Sequence, residues 1–142
     1  MKPRVLFLCT HNSARSQIAE ALLRQLSSGE VESFSAGSEA SRVHPLAIRV
    51  LQEAGVASAG QRSKHLDEYL GRQFDYVVTV CDRANESCPI FPGAPRRIHW
   101  SIPDPAAVEG PEEARLQAFR GALADLDGRI RGLLTEIGAG SR

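Results

Sequence analysis

Residues 4–16 read RVLFLCTHNSARS, an apolar run followed directly by a polar loop. The run Arg4–Cys9 has no alternation of apolar and polar side chains, which predicts a strand buried on both faces. Apolar residues at helical spacing follow from Ile18 to Leu26, and Ser27–Gly29 are expected to end that helix. The stretch therefore predicts a buried strand, a short loop and a helix, in that order.

The same alternation of strands and helices continues along the chain. Three further strands are predicted from β-branched and aromatic runs, over 31–35, 76–80 and 97–100. Three further helices are predicted from the sequence pattern, one opened by Pro45, a short one over 66–70, and a long amphipathic one from Pro111 to Ile137. The segment 101–110 is expected to be a loop. Strands alternating with helices indicate an α/β fold with a parallel sheet, right-handed crossovers and helices on both faces.

Length and composition restrict the class of protein. A chain of 142 residues fits one domain, 1–142, and its hydrophobic fraction of 42% and charged fraction of 24% are typical of globular proteins. Seventeen basic residues against seventeen acidic ones leave no net charge, which argues against nucleic acid as a partner. Three cysteines are an odd number for a disulfide scaffold and favour reduced thiols in the cytoplasm. No apolar stretch approaches the ~20 residues of a membrane span, so we expect no membrane association. We also expect a monomer.

The loop after the first strand carries the candidate chemistry. In a parallel sheet, ligands bind at the carboxyl ends of the strands. A loop between such a strand and a helix N-terminus gathers backbone N–H groups that bind a tetrahedral anion. Cys9 at its base is a candidate thiolate nucleophile, and Arg15 offers a planar fork of charged donors. The candidate oxyanion-binding residues are Thr10, His11, Asn12, Ser13, Ala14 and Arg15.

Two polar residues of the loop have predicted supporting roles. Asn12 tolerates left-handed backbone and is expected to brace the loop. Ser16 is expected to donate a hydrogen bond to the sulfur of Cys9. The alternative interpretation is that Cys9 is a small apolar residue closing a strand and Arg15 a solvated helix residue.

The segment 5–20, VLFLCTHNSARSQIAE, resembles the start of the low-molecular-weight tyrosine phosphatase superfamily. It resembles more closely the thioredoxin-coupled arsenate reductases built on that fold. The resemblance covers nearly the whole chain, since it extends through 35–37, 78–81, 88–89, 99–100 and 104–105. It implies a single-domain, four-stranded parallel sheet flanked by helices, with Asp104 over the pocket as general acid.

The two remaining cysteines bear on the choice between phosphatase and reductase. Cys81 follows the predicted strand 76–80, at the same sheet edge as Cys9, and Cys88 comes seven residues later. In a helical segment 82–87, the two sulfurs would lie on one face, roughly 10.5 Å apart along the axis. A disulfide needs Cα atoms within about 7 Å. The pair can therefore bridge only if the segment partly unwinds.

The resemblance implies a relay of three thiols. Cys9 attacks arsenate while Arg15 holds the oxyanion and Asp104 protonates the leaving oxygen. Cys81 then attacks Cys9, arsenite leaves, and a Cys9–Cys81 disulfide forms. Cys88 attacks Cys81, and thioredoxin reduces the resulting Cys81–Cys88 disulfide. No bound cofactor is expected, because reduced thioredoxin supplies the electrons, and phosphate or sulfate are expected to compete as oxyanions.

Several alternatives stay open. A tyrosine phosphatase would use Cys9, Arg15 and Asp104 only, but such enzymes usually follow Asp-Pro with tyrosines, whereas Ala106 and Ala107 stand here. Weak phosphatase turnover is expected from the shared chemistry. An oxyanion or redox sensor explains the thiols but not the placement of Asp104. Cys81 and Cys88 also have a purely structural interpretation, as a buried strand end and an idle surface thiol. A zinc site is disfavoured, because Cys81, Cys88 and His99 lack the usual ligand spacing.

The resemblance also raises the question of a cation. Some members of the family bind potassium beside the loop through Asn, Glu, Ser and Asp side chains. Asn12, Glu20 and Ser35 match, but Lys64 stands about where the Asp would be. The Lys64 ammonium can occupy the place of the cation, so we expect neither a metal site nor potassium dependence.

Overall fold

The computed structural model describes residues 2–82, 89–92 and 96–138, and the predicted order of elements is confirmed there. The strands are β1 (Arg4–Cys9), β2 (Glu32–Gly37), β3 (Tyr76–Thr79) and β4 (Arg96–His99). The α-helices are α1 (Arg15–Leu26), α2 (Pro45–Glu53) and α3 (Glu112–Ile137). The short helix expected at 66–70 is a 3-10 helix, Leu66–Tyr69. The predicted loop 101–110 contains a second one, Pro105–Ala107, because the Asp104 carboxylate caps it by accepting from the Ala106 N–H.

The strands form one parallel sheet in the order β2-β1-β3-β4, which confirms the predicted fold class. β1 is hydrogen-bonded on both sides, to β2 and to β3. Its residues Val5 to Leu8 are fully buried, and alternate ones belong to different apolar clusters on the two faces of the sheet. The unbroken apolar run at the start of the chain is thus explained by a central strand covered on both faces.

The two faces are covered differently in the described residues. All three α-helices contribute to the cluster of Val5 and Phe7 on one face. On the other face, the 3-10 helix and four aromatic rings cover Leu6 and Leu8. Those rings pack edge to face at 5.4–5.8 Å between centroids, and they belong to Phe34, Tyr69, Phe74 and Phe91. No helix of the described chain has the length and apolar character to cross a membrane.

Gly37 ends β2 where the loop after β1 passes it closely. A Cβ atom on Gly37 would lie 2.5 Å from Thr10 O and 2.8 Å from both Asn12 N and Cys9 O. All three are backbone atoms, which cannot turn aside as a side chain can. Glycine is therefore required here by the close approach of two chain segments.

We expect Gly37→Ala to lower stability by about 1–3 kcal/mol, as overpacking does, and to displace the loop. Thermal denaturation and calorimetric titration with inorganic phosphate would measure both effects. Gly128→Ala is the control, because a Cβ there meets no atom within 4 Å. A Gly37→Ala protein with unchanged melting temperature and phosphate affinity would contradict this account.

His44 caps the N-terminus of α2. Its Nδ1 accepts a hydrogen bond from the Leu46 N–H at 3.1 Å, and its ring packs on Phe119 at 4.7 Å between centroids. Burial, together with the positive charge of Arg115, lowers the pKa of His44, against a smaller opposing effect of Asp104. The neutral ring is thus favoured in the folded protein, and protonation would place a hydrogen on the capping nitrogen.

Because the pKa of His44 is lower folded than unfolded, the unfolded chain binds the proton more readily. The stabilising contribution of the neutral ring is therefore complete above pH ~6.5 and is lost as the pH falls through the folded pKa. His44→Asn keeps an oxygen acceptor for the cap but does not titrate. We expect urea denaturation between pH 5 and 7.5 to give a smaller pH slope for His44→Asn than for the wild type. Identical slopes would refute the role assigned to His44.

Candidate active site

A cavity of about 130 Å³ opens where β1 ends and α1 begins. Six predicted site residues line it, namely Cys9, His11, Ser13, Ala14, Arg15 and Asp104. Ser41 and Ala106 complete the lining and were not predicted. Thr10 and Asn12, the other two predicted oxyanion-binding residues, do not line it. The structure thus brings the candidate nucleophile, cation and acid to one small space.

Cys9 lies at the base of this cavity as a free, buried thiol. Its Sγ is 2.8 Å from Ser16 Oγ, the contact that the sequence predicted. The first turn of α1 faces the same space, and it carries no acidic side chain and no capping side-chain hydrogen bond. Its N-terminal N–H groups and the helix dipole are therefore available to an anion.

The Arg15 guanidinium is held in place rather than solvated. The side chain is nearly buried, and Nη1 donates to the Ile102 carbonyl at 2.9 Å. Nη2 lies 3.8 Å from Asp104 Oδ2, and the Asp104 side chain is about one-third exposed at the rim. A fixed planar donor can hold an oxyanion, and a carboxyl group beside it can deliver a proton to that anion when it is itself protonated.

Asn12 lies behind the loop and does not line the cavity. It is fully buried and has a φ of +50°, so the predicted left-handed backbone is confirmed. Its Nδ2 donates to Ser16 Oγ at 2.8 Å, and its Oδ1 accepts from the Lys64 N–H at 2.8 Å. The side chain therefore ties the loop to Ser16 on one side and to residue 64 on the other.

Lys64 is buried beside the loop with its ammonium among oxygen atoms. Its Nζ donates to Arg62 O at 2.8 Å and lies 3.4 Å from Glu20 Oε1 and 3.5 Å from Ser35 Oγ. Ser35 Oγ also donates to Glu20 Oε1 at 2.6 Å. Burial lowers the pKa of Lys64, while the Glu20 carboxylate opposes that shift. The ammonium thus lies next to Glu20 and Ser35, two of the side chains that the family resemblance associated with potassium.

Cys81 comes directly after Val80, whose N–H donates to Leu8 O at 2.9 Å. Leu8 is paired with Thr79 across β1 and β3, so Val80 is the strand neighbour of Cys9. Cys81 is one residue beyond that neighbour. Cys81 is fully buried. Cys88 and the segment 83–87 lie outside the described residues, so the predicted Cys81–Cys88 disulfide and the unwinding segment stay predictions.

Sequence reasoning missed four residues around the loop, namely Gln17, Gly37, Ser41 and Gln61. Gln17 is fully buried in the first turn of α1. In the sequence, only its amide side chain between Ser16 and Ile18 could have marked it. Gly37 entered the sequence analysis only within the stretch 35–37 that carries the family resemblance. Within residues 2–82, 89–92 and 96–138, no three His, Cys, Asp or Glu side chains are grouped so as to hold a metal ion.

Comparison with known proteins agrees with this geometry. The chain is 38% identical over 130 residues to an arsenate reductase of Halalkalibacterium halodurans, covering 92% of this chain and 94% of the relative. The solved structure of an arsenate reductase in the phosphate binding state superposes with a TM-score of 0.78 at 31% identity, covering 96% and 99% of the two chains. A thioredoxin-dependent arsenate reductase of Corynebacterium glutamicum gives a TM-score of 0.73 at 36% identity, over 96% of this chain and 62% of that one.

A family model extends over nearly the whole chain. It matches residues 4–142, from the first residue of β1 onward, and it describes the low molecular weight phosphotyrosine protein phosphatases. The match spans the sheet, the cavity and Asp104. With that match and relatives above 30% identity over most of its length, the chain belongs to the low molecular weight phosphotyrosine protein phosphatase family.

Proposed function

We propose that this protein is a cytoplasmic arsenate reductase that serves arsenic detoxification, with Cys9, Cys81 and Cys88 as its redox residues and thioredoxin as its reductant. One observation carries the proposal. A free thiol lies at the base of an anion-sized cavity, and a second cysteine follows the adjacent strand, one residue beyond the neighbour of that thiol. Hydrolysis of a phosphate ester uses only the first of these two cysteines.

The cavity favours a small inorganic oxyanion. Its volume of about 130 Å³ and its lining by short side chains suit a tetrahedral anion. Ala106 lines the rim directly after Asp104 and Pro105, and the described residues of the lining include no Phe, Tyr or Trp. An aryl phosphate would find no ring to stack on there. The arsenate reductases among its relatives support arsenate as the substrate.

In the first step, the Cys9 thiolate attacks arsenic and an S–As bond forms. Arg15 and the N–H groups of the first turn of α1 hold the charged oxygens in the transition state. One As–O bond breaks, and Asp104 protonates the departing oxygen, which leaves as water. Arsenic is still pentavalent at this point.

In the second step, the Cys81 thiolate of the reduced protein attacks Cys9 Sγ. The new S–S bond forms as the S–As bond breaks, and its electron pair stays on arsenic, which leaves as trivalent arsenite. If the pairing of β1 with β3 continues in extended form, the Cα atoms of Cys9 and Cys81 are roughly 6 Å apart. A disulfide allows a separation of up to ~7 Å. Because successive side chains of a strand alternate between faces, Cys81 has to swing toward Cys9, a local rearrangement at the strand end.

In the third step, the Cys88 thiolate attacks Cys81 Sγ and releases Cys9 as a thiolate. The Cys81–Cys88 disulfide is then reduced by the two thiols of thioredoxin, which become a disulfide in turn. The electrons of the cycle therefore pass from thioredoxin through Cys88 and Cys81 to arsenic. The protein itself needs no bound cofactor.

A phosphatase is the second candidate function. The family match and the placement of Cys9, Arg15 and Asp104 favour it. The thiophosphate intermediate of that reaction would be hydrolysed by water, with no part for the other two cysteines. We propose it as a weak side activity.

Single substitutions separate the two functions in an assay with arsenate, thioredoxin, thioredoxin reductase and NADPH. We expect Cys9→Ser to abolish both arsenate reduction and p-nitrophenyl phosphate hydrolysis. Cys81→Ser should lose arsenate reduction to background but keep hydrolysis. Cys88→Ser should reduce about one arsenate per protein and then stop, because the Cys9–Cys81 disulfide can no longer be passed on.

Undiminished multiple turnover by Cys88→Ser would exclude the three-thiol relay. Replacing thioredoxin with glutaredoxin and glutathione in the same assay identifies the reductant. A wild-type protein that releases no arsenite with either system, but hydrolyses aryl phosphates rapidly, would favour the phosphatase.

We further propose that Lys64 makes the protein independent of potassium. Its ammonium already supplies a positive charge next to Glu20 and Ser35. A second cation in that place would meet electrostatic repulsion, which is stronger for a buried ammonium than for one in bulk solvent.

We expect the wild type to melt at the same temperature in potassium and sodium chloride of equal ionic strength. Lys64→Ala should lose about 2 kcal/mol, less than the ~3–5 kcal/mol for breaking an isolated buried pair. The loss is smaller because Arg24 still contacts Glu20 at 2.6 Å. A potassium-specific rise in the wild-type melting temperature would disprove the assignment.

A further inference from the structure

Two glutamine side chains lie behind the candidate loop, outside the cavity. Gln17 is fully buried in the first turn of α1. Gln61 comes from the loop between α2 and β3, 44 residues further along the chain. Neither residue touches the anion space, and neither has a part in the relay.

The direction of both amides is determined by the atoms around them. Gln61 Nε2 lies 3.2 Å from Gln17 O and 2.7 Å from Gln17 Oε1. Since both neighbours are oxygens, the group between them has to be the donor. Gln17 Nε2 likewise faces three oxygens, at 2.9 Å from Asn12 Oδ1, 3.1 Å from Asn12 O and 2.8 Å from Arg62 O. Flipping either amide would set oxygen against oxygen.

The amide of Asn12 is oriented in the same way. Its Oδ1 receives the backbone N–H of Lys64 at 2.8 Å in addition to Gln17 Nε2. A backbone N–H can only donate, so this atom is the oxygen, and Nδ2 is the atom that faces Ser16 Oγ at 2.8 Å. Ser16 Oγ therefore accepts from Asn12. A thiolate has no proton, so in that state of Cys9 the Ser16 hydroxyl donates to the sulfur across 2.8 Å.

We propose that Gln17 and Gln61 are positioning residues for Cys9, as the outer members of one oriented hydrogen-bond chain. The chain runs donor to acceptor through Gln61, Gln17, Asn12, Ser16 and Cys9. All four hydrogen bonds direct positive hydrogen toward the sulfur. The chain thus favours the charged form of Cys9, and this assignment rests on the proposed function of Cys9 as the nucleophile.

The burial of the chain makes its orientation effective. Three of its bonds lie among buried groups, where hydrogen bonds are stronger than in water and polarise one another. The outer end supports the same conclusion. Gln61 Oε1 is buried and accepts no hydrogen bond within the described part of the chain. Within those residues, Gln61 therefore joins the chain only through its donor nitrogen.

The ionisable groups that share the cavity with Cys9 are Arg15, Asp104 and His11. None of them belongs to the hydrogen-bond chain. Outside the cavity, Lys64 and Glu20 lie beside the chain, since the Lys64 ammonium shares Arg62 O with Gln17 Nε2. Gln61→Met keeps all five of these groups and makes no contact with Arg62 O, so it isolates the effect of the chain.

The test is the pH dependence of Cys9 alkylation by iodoacetamide in the reduced, full-length protein, resolved by peptide mass spectrometry. Gln61→Met removes the outer donor without adding charge. We expect it to raise the midpoint of the pH–rate profile by about 0.5 unit, and Gln17→Met to raise it by about 1 unit, since a polarised charge-assisted hydrogen bond is weakened in each. Gln25→Met, an exposed position of α1, is the matched control and should leave the midpoint unchanged.

A second measurement separates the chain from a merely structural role. In a Ser16→Ala background the chain is interrupted next to Cys9, so Gln61→Met should cause no further shift. An unshifted midpoint in Gln61→Met, or the same shift with and without Ser16, would overturn the proposal. If Gln17→Met does not fold, Gln61→Met decides alone. No arsenate is used, so a failure of arsenate reduction leaves this test unaffected.

Discussion

The candidate active-site loop depends on the close contact between the end of β2 and the turn that follows β1. Gly37 lets the backbone of residues 9–12 pass at a distance that any side chain would block. Asn12 takes the left-handed conformation that reverses the chain there. The first turn of α1 begins beside the sulfur of Cys9, with Ser16 Oγ 2.8 Å from Sγ, and Arg15 lines the same cavity. The anion cavity, the orientation of Ser16 and the burial of Cys9 all follow from that contact.

Two buried side chains, Arg15 and Lys64, place fixed positive charge around the loop. Arg15 is held by the Ile102 carbonyl, and Lys64 is held between Glu20 and Arg62 O. Each cation is buried and each has oxygen partners, which is the condition under which buried charge is tolerated. The Arg15 guanidinium is therefore fixed at the cavity before any substrate binds, and little reorganisation of it is needed when an oxyanion enters.

The strand pattern could be predicted from the sequence because each element carries its own periodicity. The unbroken apolar run of β1 indicates a central strand, and the three- and four-residue spacing of α3 indicates one long helix, as found. The local pattern could not determine which elements cover each face of the sheet. The α-helices of the described chain lie on one face, while aromatic rings and a 3-10 helix cover the other. That choice depends on packing between distant segments, for which periodicity carries no signal.

The sequence by itself determined the candidate reactive groups. Cys9, Arg15 and Ser16 lie within one short segment whose strand–loop–helix pattern already orients them. Only the tertiary structure decided what supports them: the contact at Gly37 and the amide chain reaching Gln61. These depend on segments far apart in the chain, Gln17 and Gln61 being 44 residues from each other. Glycine and glutamine have no chemistry that marks such a position in a sequence, and their roles exist only once folding has set them against the loop.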